Sequence, residues 1–88
     1  IDSFNELFSD FTRESNILVK SMTQAVEKED FTLCSSEAIK LKGMSDNMHI
    51  TGYENEIETL IHSQDSVELS TALKTVDAIL TQLSKQGI

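Results

Sequence analysis

Apolar residues recur at alternating intervals of four and three along most of this 88-residue chain, and that rhythm leaves little choice of fold. The first run is Phe4, Phe8, Phe11, Ser15, Leu18, Met22 and Ala25. An α-helix turns once in ~3.6 residues, so the run forms a single stripe on one face of a helix of about six turns. A second stripe is Phe31, Cys34, Ala38, Leu41, Ser45 and Met48. A third is Tyr53, Ile57, Leu60 and Ile61, and a fourth is Leu69, Leu73, Val76, Leu80 and Leu83. No segment alternates with period two for long, and proline is absent, so strands and broken helices are both disfavoured. A striped helix is stable only when the stripe is covered by another.

Polar segments separate the stripes at about 28–30, 49–51 and 62–65. Connections this short make successive helices antiparallel neighbours. The expected fold is all-α, an up-down-up-down antiparallel four-helix bundle, and the chain is too short to hold a second core, so residues 1–88 form one domain. Start signals agree with the stripes. Ser3 with Glu6, Thr51 with Glu54 and Asp65 with Glu68 each have the spacing of a capping box, in which side chain and backbone N–H satisfy one another. Asp30 is placed as an N-cap for the second helix, and Gly87 as a terminator of the fourth.

Charge excludes some partners. Fifteen acidic residues against seven basic ones leave a net charge of −8, which repels nucleic acid and anionic membrane. No apolar run approaches the ~18 residues of a membrane span. Cys34 is the sole cysteine, so no internal disulfide forms, as suits a reducing compartment. His49, His62 and Cys34 lack the spacing of metal ligands, and there is no nucleophile–base pair or glycine-rich phosphate loop. No catalytic residue, metal or cofactor is assigned. The chain begins at Ile1 rather than Met, which is expected of a domain cut from a longer protein.

Two residues do not fit the second stripe. On a wheel of ~100° per residue with Phe31 at zero, the stripe occupies roughly 260° to 360°. Ile39 falls near roughly 80° and Gly43 near roughly 120°, with Ser35, Lys42 and Asp46 between roughly 20° and 60°. An isoleucine therefore stands on a polar face. The glycine beside it costs the helix about 1 kcal/mol relative to alanine. Glycine in such a place admits a close approach to the backbone, here by another molecule.

At these residues the chain resembles a histidine phosphotransfer domain. The signature of that family is a small residue, the phosphoacceptor histidine, any residue, then Leu-Lys-Gly, followed by a small and later an apolar residue. Ala38, Leu41, Lys42, Gly43, Ser45 and Met48 match it in register, and Asp30 and Phe31 match the family's acidic and aromatic residues upstream. The resemblance covers nearly the whole chain and implies a bundle that passes a phosphoryl group between receiver-domain aspartates. It also implies that Lys42 offers charge to the phosphoryl oxygens and that Gly43 lets the receiver approach.

The departure is at the acceptor, where Ile39 stands and no lone pair is available. A second departure is His49, where a glycine often occurs. His49 lies ten residues on, ~15 Å along the helix axis and about 80° away in azimuth, and cannot share the pocket of Ile39. His62, near the end of the third helix, is placed where the helix dipole favours a cation. The expected role is a phosphorelay module without an acceptor, docking a response-regulator receiver domain through Ser35, Ile39, Lys42, Gly43 and Asp46. It would not itself be an enzyme, and would work in the cytoplasm as part of a multidomain sensor kinase, itself anchored in a membrane. Two rivals stand beside this reading: a helical scaffold or oligomerisation domain, and an active transfer domain using His49 or His62.

Overall fold

The computed structural model describes the backbone of residues 2–86 and the side chains of residue 6 and residues 9–83. Four helices follow one another: α1 (Asp2–Glu27), α2 (Phe31–Asn47), α3 (Glu54–His62) and α4 (Ser66–Gln86). Among the described residues there is no strand. α1 packs against α2 and α4, and α3 packs against the same two, so the helices sit at the corners of a square with no backbone contact across either diagonal. This is the expected antiparallel four-helix bundle, 41 × 19 × 18 Å in extent. No described helix is long and apolar enough to cross a membrane.

The stripes form the core. Phe11, Leu18, Met22 and Ala25 of α1 meet Cys34, Ala38 and Leu41 of α2, Ile57 and Leu60 of α3, and Leu69, Leu73, Val76 and Leu80 of α4. Phe31, Met48, Ile61 and Leu83 are half-buried at its margin. Val19, Val26 and Ala72, which lie beside the stripes in sequence, are buried as well. Phe4, Phe8 and Gly87 lie outside the described side chains and residues. Each fully buried Leu or Val contributes about 1.5–3 kcal/mol relative to exposure, so the stripes supply the stability a short chain needs.

Two serines on the stripes behave differently. Ser45 is buried and its Oγ lies 2.6 Å from the hydroxyl of Tyr53, itself 1% exposed. That pair satisfies both groups and fastens the end of α2 to the start of α3. Burial pushes the Tyr53 hydroxyl above its ordinary range, while the Ser45 hydrogen bond pulls the other way. Ser15 is also fully buried, yet its Oγ has no hydrogen-bond partner. An unsatisfied hydroxyl of that kind costs about 1–3 kcal/mol.

The helix ends correct several expectations. The Ser3 side chain, expected to form a box with Glu6, lies outside the described side chains. Asp30 is the N-cap of α2, accepting the Leu33 N–H at 3.1 Å. α3 is not opened by Thr51 and Glu54: its N-cap is Tyr53 without a side-chain bond, and Glu54 is its first residue. The Glu54 carboxylate accepts the Gly52 N–H at 2.7 Å instead. The connection therefore runs over 48–53 rather than 49–51, because Tyr53 must turn inward to reach Ser45 before a helix can start. Asp65 does cap α4, accepting from the N–H groups of Val67 (2.9 Å) and Glu68 (3.4 Å). The return half of the box is relayed: Ser63 Oγ donates to Glu68 and accepts the Asp65 N–H.

α1 and α2 end in the same way. Beyond α1, Glu29 N–H donates to the Val26 carbonyl and Asp30 N–H to that of Ala25. Beyond α2, His49 N–H donates to Asp46 and Ile50 N–H to Ser45. Both are Schellman closures, in which the residue just past the helix is left-handed. That residue is Glu29 (φ 57°) in one case and His49 (φ 56°) in the other. His49 is thus off the helix, and the helical spacing from Ile39 expected of it does not apply.

Candidate functional site

The open face of α2 is where wheel and structure meet most directly. The same geometry that buries Cys34, Ala38, Leu41 and Ser45 turns Ile39, Lys42, Gly43 and Asp46 outward, with Ser35 half-buried at the edge. Ile39 is 55% exposed, one of the few large apolar side chains so open among the described residues. Gly43 has ordinary negative φ, and a methyl group built there would meet nothing within 4 Å. The helix does not use the glycine for a turn or for close packing.

Ile39 stands at the rim of a shallow depression of about 360 Å³ between α2 and the end of α3. Phe31, Ser35 and Ile39 form one wall, and Ile61, His62 and Ser63 the other. No acidic residue lines it, in a chain with fifteen of them. Its lining is mainly polar, with Thr32, Ser35, Ser36, His62, Ser63 and Gln64 around the apolar Phe31, Ile39 and Ile61. Lys42, Gly43 and Asp46 do not line the depression; they continue the exposed face toward the far end of α2.

Electrostatics on this face centre on Glu58. Its Oε1 lies 3.1 Å from Lys42 Nζ and its Oε2 3.2 Å from His62 Nε2. The hydrogen bond from Lys42 and then its charge hold the Glu58 carboxyl below the usual glutamate range. The remaining lysine of α2, Lys40, pairs with Glu37 at 3.2 Å. His62, three-quarters exposed at the side chain, shares the depression with Ile39, whereas His49 lies beyond the opposite end of α2.

Glu58 carried no sequence signal on its own. The i,i+4 spacing from Glu58 to His62 could have suggested their pairing. The link from Glu58 to Lys42 depends on how α2 packs against α3 and is not local. Cys34 is fully buried, its thiol donating weakly to the Leu60 carbonyl at 3.8 Å. Burial pushes that thiol up, so it stays protonated and is a core residue rather than a nucleophile. Ile39 brings no group that accepts a phosphoryl. Searches against family models, curated proteins and solved structures found no match to this chain.

Proposed function

We propose that this chain is a docking or regulatory module of a two-component phosphorelay, similar to a histidine phosphotransfer domain but without its acceptor. It would engage a response-regulator receiver domain within, or in competition with, a larger sensor kinase. One observation carries the reading: Ile39, at the acceptor position of the motif, is an open apolar side chain on the same exposed face as Lys42 and Gly43. A buried Ile39 would have made the motif match accidental. An exposed isoleucine at the rim of a depression lined by no acidic residue is suited to anchor a partner's apolar patch.

A second reading draws on His62, whose imidazole is exposed in the same depression. Incubation with a receiver domain charged by acetyl phosphate separates the two. Binding without transfer is expected, with binding weakened by Ile39→Asp. Acid-labile label on His62 would replace the docking reading with active transfer, and neither binding nor transfer would leave a structural bundle. Ile39→His tests the register: it should change stability by no more than about 0.5 kcal/mol, as at other exposed helix positions, and should accept the label.

A further inference from the structure

Lys42 and His62, on either side of Ile39, converge on one carboxylate. Lys42 reaches Glu58 from α2, and His62 reaches it from the next turn of α3. With Lys40 paired to Glu37, neither lysine of α2 is left free. In a chain of net charge −8, this face therefore offers no unpaired positive charge to a partner. We infer that Glu58 is a specificity-determining residue of the α2–α3 face, masking Lys42 so that the fit of Ile39, rather than charge, selects what docks.

The inference rests on the docking role proposed above and adds what sets its selectivity. A partner presenting carboxylates, as a receiver's aspartate-lined site does, must draw Lys42 away from Glu58 before using it. Until then its long-range attraction to the face is cancelled locally. Lys42 and Glu58 are each about half exposed, at 49% and 50%, so solvent screens the pair and the mask is shallow. An exposed pair of this kind shifts an affinity by about two- to fivefold. Removing the mask should also make binding more sensitive to salt, because an unpaired surface charge acts over a Debye length of about 8–10 Å.

The test is a titration of purified receiver domains from the source genome against the wild-type chain and three variants, at low and high salt. Helicity by circular dichroism verifies that each variant is folded. Glu58→Gln should tighten binding about two- to fivefold at low salt, with the gain shrinking at high salt. Adding Lys42→Met should abolish the gain, and adding His62→Gln should leave it. Glu58→Gln that binds no better than wild type overturns the mask while leaving the docking reading intact. So does a gain that disappears with His62→Gln but survives Lys42→Met. If no variant binds any receiver, the docking reading fails, and the mask with it.

Discussion

Gly43 and His49 lie close together in the chain and stand in opposite relations to the backbone around them. Gly43 sits in regular helix, with negative φ and open space where a side chain would project. His49 sits in the left-handed region that closes a Schellman motif, where glycine is the residue of least strain. Glu29 repeats the second situation at the end of α1. The bundle thus has a glycine where its fold needs none, and larger residues at two places where its fold would be eased by one. Local backbone demand accounts for neither choice. At Gly43 the proposed docking of a partner on the face of Ile39 would supply a reason.

The sharpest way to break the comparison is Gly52, where the demand is met. Its φ of 116° lies further from the allowed left-handed well than that of Glu29 or His49. Gly52→Ala should lose about 1–3 kcal/mol in urea unfolding despite free space around the added methyl. No loss would mean that the turn relaxes easily, and strain arguments elsewhere would weaken.

Next in size are Glu29→Gly and His49→Gly. The left-handed conformation costs a non-glycine residue about 1–2 kcal/mol, and the extra unfolded-state freedom of glycine returns roughly half of that. Each variant should gain about 0.5–1 kcal/mol by the same measurement. A loss at His49 would show that its side chain holds the α2–α3 connection in a way its backbone bonds do not reveal.

The smallest effect concerns Glu58. Because its folded-state pKa is depressed, its contribution to stability is present above the ordinary glutamate pKa and fades as pH falls through the lower folded value. Lys42→Met should move the Glu58 titration, followed by carboxyl NMR shifts, back up toward the ordinary range. The acid limb of the stability curve should then become slightly shallower, because Glu58 would bind its proton equally well in the folded and unfolded states.

The bundle was legible because its stripes are long and every stripe residue that can be checked is buried or half-buried. Ile39 and Gly43 were legible for the same reason: a wheel fixes the outward face once the inward one is known. Helix starts were less so. Thr51 and Glu54 have capping-box spacing, but the Ser45–Tyr53 hydrogen bond delays α3, and that contact joins two elements. Ser15 shows the same limit, since its position on the stripe announces burial but not the lack of a partner. The link from Glu58 to Lys42 could not be read, because it crosses from α3 to α2.

The most direct test of the account is Gly43→Ala, measured for stability and for receiver binding in the same preparation. The helix should gain about 0.5–1 kcal/mol, since alanine fits the backbone and meets no neighbour. Binding should weaken by about 1–3 kcal/mol, by analogy with a methyl forced into a packed core. A higher melting temperature together with weaker binding is the expected pair of results. A more stable variant that binds its receiver as well as the wild type would contradict the central claim, because Gly43 would then serve neither the fold nor a partner.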